Sequence, residues 1–198
     1  MDEHNIDTAA LMGHSMGGKT SMAAALLYPD RVKALIVVDI CPVDYKSLNA
    51  DSVQVLDAMT SLDLASLSSR RDADEILKPK IRSDMLRGFL LQNLIMPTTA
   101  AHKQTPHWRV DIGGLNNGGM HLLAQWPIEP SRTFAGPTLF VAGANSNYIK
   151  EARHFQAIRQ HFPRADAVTI EDSGHWIHAE NPAKFFQVVY KFILHHMK

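Results

Sequence analysis

Several features that define other classes of protein are scarce in this 198-residue sequence. It has one cysteine, Cys41, so an internal disulfide cannot form and nothing requires an oxidising compartment. Its 20 Lys and Arg residues balance its 20 Asp and Glu residues, which leaves no net charge to favour nucleic acid or an anionic membrane surface. The apolar runs are far shorter than the roughly 20 residues that span a bilayer, so we expect no transmembrane segment.

Motifs for cofactors, metals and targeting are also missing. No G-x-G-x-x-G pattern occurs, and Gly17-Gly18-Lys19-Thr20 lacks the upstream glycine that a P-loop needs. The 11 histidines do not fall at the spacing of zinc ligands. Residues 1–12 are acidic and mixed, unlike a secretory signal or transit peptide. We therefore expect neither a cofactor nor a metal ion, and the sequence indicates no partner protein.

With 45% hydrophobic and 20% charged residues, the chain has the composition of one globular domain. Apolar runs predict strands at Thr8 to Met12, Ala34 to Asp39, Thr138 to Ala142 and Ala167 to Ile170. Helical spacing of apolar residues predicts helices at Met16 to Tyr28, Ile149 to His161 and Ala183 to Met197. This alternation predicts an α/β domain that has a parallel sheet with helices on both faces.

The middle of the chain, residues 44–133, breaks this alternation. Its helix-like stretches are Val53 to Leu67, Ala73 to Leu77, Ile81 to Leu94 and Met120 to Trp126. Such an insertion is most simply a helical cap over the carboxyl ends of the strands, where ligands usually bind. We therefore expect a core of residues 1–43 and 134–198. Candidate substrate-contacting residues are Phe89, Trp108 and Trp126, although each has a place in the cap's own core as its alternative.

One motif carries chemistry. Gly13-His14-Ser15-Met16-Gly17 matches G-x-S-x-G and stands between a predicted strand and a helix rich in small residues, which is the context of a nucleophile elbow. Ser15 is the candidate nucleophile, and the Met16 N–H is the candidate oxyanion donor, because helix amides favour developing negative charge. An ordinary Gly/Ser turn is the alternative interpretation.

A serine hydroxyl is a poor nucleophile unless a base takes its proton. His175 lies after the last predicted strand and before the final helix, where the chain order Ser, acid, His places the base. His14 would lie beneath the serine, and a surface or structural role is favoured for His178. Two further histidines are expected on helical surfaces, namely His154 and His161.

Two loops compete to supply the carboxylate that orients this histidine. In many serine hydrolases the acid follows the penultimate strand, but here that loop reads GANSN (residues 143–147), and Asn145 is uncharged. Asp39 ends a strand at the same sheet edge, and a carboxylate after five apolar residues would be costly without a partner. Asp39 is therefore the favoured acid, with capping of the next turn as its alternative. Asp172, three residues before His175, is expected to shape the His175 loop, and Asp111 is a remote third candidate.

Four blocks of sequence stand out together: GHSMGGKT (residues 13–20), VDICPVD (38–44), GANSNYI (143–149) and SGHWIHAENP (173–182). They resemble the α/β-hydrolase family, in the branch of the mitochondrial alpha/beta hydrolase domain-containing protein 11 and small bacterial esterases. The resemblance implies an α/β-hydrolase fold with a helical cap, and Ser15, Asp39 and His175 as nucleophile, acid and base. It also implies a mitochondrial location for a eukaryotic chain and a cytoplasmic one for a bacterial chain.

The resemblance further implies hydrolysis of acyl esters, thioesters or acylglycerols without a cofactor. The family places several strands and a second oxyanion loop before the elbow, but 12 residues precede Gly13, so we expect the first strands to be missing. Our leading hypothesis is a serine hydrolase that cleaves a small to medium acyl ester through an acyl-enzyme. Alternatives are an impaired fragment that acts as a binding or interaction protein, and a carbon–carbon bond hydrolase.

Overall fold

A computed structural model describes residues 1–45, 50–97 and 105–196. The strands are β1 (Ala9–His14), β2 (Val32–Val38), β3 (Leu94–Ile95), β4 (His107–Trp108), β5 (Thr138–Gly143) and β6 (Ala165–Ile170). The helices are α1 (Met16–Leu27), α2 (Ala50–Thr60), α3 (Arg70–Leu77), α4 (Asp84–Leu91), α5 (Ile112–Gly114), α6 (Met120–Ala124), α7 (Ala152–His161), α8 (Ile177–Glu180) and α9 (Pro182–His196). Short 3-10 turns occupy Asp2–His4, Pro29–Arg31 and Leu64–Ser66, and a kinked helical turn occupies Leu115–Gly119.

The chain separates into two compact units. The first comprises Met1–Asp44 and Trp126–Lys198, and the second comprises Tyr45–Gln125. The first unit contains a four-stranded parallel sheet in the order β1-β2-β5-β6. Because all four strands run the same way, their carboxyl ends meet at one edge of the sheet. The predicted parallel sheet is thus confirmed.

Helices cover both faces of this sheet, because side chains along a strand point alternately to either side. On one face, the aliphatic residues of β2, β5 and β6 pack against α8 and α9 in a cluster that includes Ile36, Val141 and Phe192. On the other face, Val37 lies under Gly18 of α1, and Phe140 contacts the Phe162 ring that follows α7. The continuous apolar run of β2 reflects this burial from both sides.

The predicted elements of the first unit are present with shifted ends. The helix predicted from Ile149 begins at Ala152, because Glu151 and His154 form a capping box there. The strand predicted from Ala167 begins at Ala165, in register with Thr138 of β5. The final helix is described as far as His196, and its predicted end at Met197 lies outside the described residues.

The second unit is built from short helices around its own apolar core. Side-chain oxygens of Ser69 and Ser83 accept hydrogen bonds from the N–H groups of Asp72 and Leu86, and so begin α3 and α4. The core includes Leu62, Leu77, Leu91 and Leu94. No helix among the described residues of either unit is long and apolar enough to cross a membrane.

Three of the helices predicted in this unit were too long, and the one expected over Met120 to Trp126 ends at Ala124. The helix expected over Val53 to Leu67 ends at Thr60, because Asp63 caps a separate 3-10 turn by accepting from Ala65 N–H. The helix expected over Ile81 to Leu94 is α4 alone, since Leu94 pairs with Trp108 in the antiparallel ladder of β3 and β4. Helical spacing of apolar residues did not detect these breaks.

The first unit resumes at Trp126, whereas residue 134 was the predicted start of its second segment. Trp126 N–H donates to Asp44, and its indole N–H donates to Nε2 of His161 on α7. Further along, Phe134 N–H donates to the carbonyl oxygen of His161. These bonds tie the intervening segment to the sheet unit. That the second unit acts as a cap stays a prediction.

Candidate active site

Ser15 lies in the sharp turn between β1 and α1. Its backbone adopts φ 54° and ψ −121°, a strained conformation for a residue with a side chain. The turn depends on Gly13, where a Cβ atom would lie 2.1 Å from the Gly17 carbonyl oxygen. This strand–turn–helix geometry is the one that the G-x-S-x-G motif predicts. Met16 is the first residue of α1, so its N–H has no acceptor within the helix.

His175 reaches this serine from the loop between β6 and α8. The distance between His175 Nε2 and Ser15 Oγ is 3.0 Å, within hydrogen-bond reach. The other ring nitrogen, Nδ1, lies 2.8 Å from Oδ2 of Asp39. A carboxylate accepts hydrogen bonds, so Nδ1 carries the proton and Nε2 is left to accept the proton of Ser15.

Asp39 follows β2 directly and is fully buried, with 0% exposure. Besides the bond from His175, its Oδ1 accepts a hydrogen bond from Gly143 N–H at 3.1 Å, and its Oδ2 accepts a short one from the Ser146 hydroxyl. A buried carboxylate is tolerated when such donors replace water. The structure thus brings Asp39 to the predicted base.

The other residues considered near the acid position, Asp111, Asp172 and Asn145, form no hydrogen bond with the His175 ring in the described part of the chain. Asp111 caps α5 in the second unit, where its side chain accepts from Gly114 N–H. Asp172 occupies a left-handed position (φ 55°) in the turn after β6. Asn145 is exposed, and its backbone N–H donates to the Ser173 carbonyl oxygen. The loop of residues 143–147 therefore contributes donors to Asp39 instead of a carboxylate.

Sequence reasoning missed Ser146 as part of this site. The available signal was that the loop of residues 143–147 contains no carboxylate. A loop at the carboxyl edge of the sheet that does not provide the acid can instead provide a hydroxyl group that donates to it. Gly143 has a second role there, because a Cβ atom on it would lie 2.1 Å from the Gly174 carbonyl oxygen. The loop can therefore approach the His175 loop closely only with glycine at this position.

Aromatic and imidazole rings surround His175. The Tyr148 ring stacks on the His175 ring with centroids 4.1 Å apart, and the His14 ring lies 4.6 Å from it. Burial lowers the pKa of His14 to about 4, so this imidazole is neutral near pH 7. His14 also contacts the rings of Trp176 and His178, which gives His178 a packing role beside the site.

The structure corrects the placement of two histidines that were expected on helical surfaces. His154 and His161 of α7 are buried, with 1% and 3% exposure. The Nδ1–H of His161 donates to the Arg132 carbonyl oxygen, and its Nε2 accepts from the Trp126 indole. Both imidazoles form hydrogen bonds with backbone groups of neighbouring segments. The helical spacing of residues in the sequence did not predict that these two side chains are buried.

The three predicted substrate-contacting residues lie in different surroundings. Phe89, on α4, is 45% exposed, whereas Trp108 packs against the apolar core of the second unit. Trp126 lines a pocket of the first unit of about 360 Å³ with Pro42 and His161. Their role in substrate contact stays a prediction. Among the described residues, no group of three or more His, Cys, Asp and Glu side chains could hold a metal ion.

A parallel sheet with Ser15, His175 and Asp39 in contact at its carboxyl edge defines a class of protein, the α/β hydrolases. The sequence profile of the alpha/beta hydrolase fold family matches residues 1–182, and the chain belongs to this family. It is 34% identical to the sn-1-specific diacylglycerol lipase ABHD11 of Mus musculus over 92% of this chain. It is 30% identical to the esterase YbfF of Escherichia coli over 98% of this chain.

A solved structure of a marine microorganism esterase is also similar, with a TM-score of 0.87, 30% identity and coverage of 96% of this chain and 72% of that chain. The chain spans 58% of the mouse lipase, 61% of a curated relative from Haemophilus influenzae and 70% of the E. coli esterase. The family assignment and the predicted α/β-hydrolase fold are thus confirmed.

Proposed function

We propose that this protein is a serine hydrolase that cleaves acyl esters through an acyl-enzyme formed on Ser15. The observation that carries this proposal is the continuous set of contacts from Ser15 Oγ through the His175 ring to the buried Asp39 carboxylate. In this arrangement a base lies against the hydroxyl, and an anion lies against the base. The esterase and lipase relatives support the same reaction class.

In acylation, Ser15 Oγ attacks the ester carbonyl carbon while its proton passes to Nε2 of His175. The negative charge that develops on the carbonyl oxygen is placed at the start of α1, where Met16 N–H donates to it. Asp39 stabilises the imidazolium through the Nδ1–H bond and remains ionised. The tetrahedral intermediate then collapses, the carbon–oxygen bond to the leaving group breaks, and His175 gives its proton to the departing alcohol.

In deacylation, water attacks the acyl carbon and His175 Nε2 takes one of its protons. Collapse of this second intermediate releases the carboxylic acid, and the proton returns from His175 to Ser15 Oγ. His175 therefore acts as base and acid in turn while Asp39 keeps one ring orientation. No external oxidant, reductant or metal ion enters this balance.

The substrate class follows from the relatives' own descriptions and from this chemistry. One relative acts as a diacylglycerol lipase and another as an esterase, so we propose esters of fatty acids, acylglycerols included, as the substrates. Phe89, Trp108 and Trp126 are the proposed acyl-contacting residues. Their replacement by alanine, one at a time, is expected to change the preferred acyl length in p-nitrophenyl ester hydrolysis, and unchanged preference in all three would remove them from this role.

A fluorophosphonate probe tests the proposal directly, because it reacts with serines that a neighbouring base activates. The folded chain is expected to carry the label on Ser15, and Ser15→Ala is expected to carry none. Ser146→Ala is a useful companion variant, because its hydroxyl is nearby but bonds to Asp39. A folded chain that takes up no label would contradict the proposal and would favour a binding or interaction protein.

A further inference from the structure

The peptide groups around His175 are held by two side chains that the reaction itself does not use. Both carboxylate oxygens of Glu180 accept hydrogen bonds from this loop, one from Gly174 N–H at 2.5 Å and the other from Trp176 N–H at 3.0 Å. The two donors flank His175 in sequence. Glu180 therefore fixes the peptide groups on both sides of the residue that carries the imidazole.

The third contact comes from the opposite side of the loop. Nε2 of His14, at the end of β1, lies 2.7 Å from the carbonyl oxygen of His175. A carbonyl oxygen only accepts, so His14 carries its proton on Nε2 and donates it there. His14 directly precedes Ser15, and this bond therefore links the His175 backbone to the residue next to the nucleophile.

These contacts matter because the His175 loop has to place its ring to within a fraction of an ångström. The loop contains Gly174, which restricts the backbone little, and fixing a loop backbone costs conformational entropy. A displacement of about 1 Å in a reacting group can lower a rate by about 10²-fold. Bonds that fix the loop before substrate binds keep Nε2 within 3.0 Å of Ser15 Oγ.

From this geometry we propose that Glu180 and His14 form a positioning pair, the His175 clamp, that holds the His175 backbone so that its ring meets Ser15. The inference rests on the proposed function, because it assumes that His175 is the base. Neither residue touches the substrate in this account. Glu180 acts on the amides before and after His175, and His14 acts on its carbonyl group.

A purely structural role for Glu180 is the competing explanation, since one of its two hydrogen bonds comes from the N–H of Trp176, the residue that directly precedes α8. That role predicts lower thermal stability with an unchanged kcat for the molecules that remain folded. The clamp predicts a lower kcat with an unchanged KM, because the loop is displaced relative to Ser15 while the substrate surface is kept. The two explanations therefore separate in the kinetic constants.

The experiment compares Glu180→Ala and Glu180→Gln with the full chain, at a temperature where all are folded. Alanine removes both acceptors and is expected to lower kcat by roughly 10–100-fold, with KM unchanged. Glutamine keeps one acceptor oxygen and is expected to recover part of that loss. Glu171→Gln is the matched control, because it changes an exposed carboxylate in the preceding turn. A kcat for Glu180→Ala equal to that of the control would overturn the clamp.

The His14 arm uses His14→Phe, which keeps a ring but cannot donate to the His175 carbonyl oxygen, and His14→Gln, which keeps a donor. The glutamine variant is expected to retain more kcat than the phenylalanine variant, and the reverse order would remove His14 from the clamp. Fluorophosphonate labelling separates failure of this inference from failure of the proposed function. Rapid labelling of Ser15 in the unmodified chain, together with full activity of all clamp variants, would leave the serine hydrolase in place and overturn the clamp.

Discussion

Asp39 in the first unit and Arg87 in the second are buried charged side chains that several hydrogen bonds hold, and the two sets of bonds differ. Asp39 in the first unit is bonded by Gly143, Ser146 and His175, which lie 104, 107 and 136 residues away in sequence. Arg87 in the second unit is equally enclosed, with 2% exposure. Its partners all lie close in sequence, at separations of 3 to 13 residues: the carboxylates of Asp74 and Asp84 and the carbonyl oxygens of Ile81 and Arg82.

The difference in sequence distance corresponds to a difference in role. Local partners around Arg87 hold α3, α4 and the turn between them, which is a structural task inside one small unit. The partners of Asp39 lie at or after the carboxyl ends of β5 and β6, so the sheet brings them together, and one of them contacts Ser15. A buried charge that is bonded from distant segments beside the proposed nucleophile favours a role in the reaction, whereas a buried charge with local bonds favours a role in stability. Substitutions in the two units should therefore separate activity from stability.

The largest expected effect is that of Asp39→Asn. The amide nitrogen or oxygen cannot stabilise the imidazolium as a carboxylate does, and it favours the wrong tautomer of His175, so kcat is expected to fall about 10⁴-fold. Asn145→Ala, in the loop that lacks a carboxylate, is expected to stay near the activity of the unmodified chain. Steady-state hydrolysis of a p-nitrophenyl ester measures both. A larger loss for Asn145→Ala would assign the orienting role to that loop.

Arg87→Met tests the other half of the comparison. Removing the guanidinium leaves four acceptors of the second unit without their donor, so the melting temperature is expected to fall by several degrees Celsius. The rate constant for fluorophosphonate labelling of Ser15, measured well below the transition, is expected to stay unchanged. Circular dichroism on heating gives the first quantity. If labelling slows as much as in Asp39→Asn, the proposed separation of roles is wrong.

Ser146→Ala should have a smaller effect on activity than Asp39→Asn. It removes one of three hydrogen bonds to the buried carboxylate and leaves the bonds from Gly143 and His175, so kcat is expected to fall roughly 10-fold, about 1.4 kcal/mol. The matched change in the second unit is Ser66→Ala, which removes an exposed hydroxyl. Equal kinetics for the two alanine variants would show that Ser146 does not support Asp39.

The smallest expected effect is the contribution of His14 to the pH dependence of the free energy of unfolding. Burial lowers the pKa of this imidazole from 6.5 to about 4, and the titratable groups that face it are His175, His178 and Asp39. The unfolded chain binds a proton at His14 as the pH falls through 6.5, whereas the folded chain does so only near pH 4. Its stabilising contribution is therefore complete above about pH 6.5 and is lost as the pH falls towards 4.

Urea unfolding between pH 7 and pH 4 measures this dependence. The decline in the free energy of unfolding is expected to be less steep in His14→Phe, which has no proton to bind at this position. An identical slope for the variant and the unmodified chain would show that His14 does not contribute to the acid sensitivity of the fold.

Much of the site was predictable from local sequence because its strongest signals are local. The G-x-S-x-G motif with its strand and helix identified the Ser15 turn, and the chain order placed His175. Asp39 was identified by a physical conflict, a carboxylate after an apolar strand, which required a partner. In each case a short segment carries a constraint that few other structures satisfy.

Ser146 and Glu180 could not be identified in the same way. Ser146 acts through a residue 107 positions away, and Glu180 acts on backbone amides, which any sequence provides. The helix ends of the second unit were missed because Asp63 and Ser83 cap new helical turns inside stretches whose apolar spacing predicts one continuous helix. Capping side chains bond to backbone N–H groups that the helix itself leaves without an acceptor, and only the folded structure shows which groups these are.

Trapping the acyl-enzyme tests the central claim most directly. The chain is mixed with a p-nitrophenyl ester, quenched with acid within milliseconds to seconds, digested and analysed by mass spectrometry. The account predicts a burst of p-nitrophenol, stoichiometric with protein, and an added acyl mass on the peptide that contains Ser15, both absent in Ser15→Ala. Hydrolysis that persists in Ser15→Ala, or an acyl group on a different residue, would contradict the account.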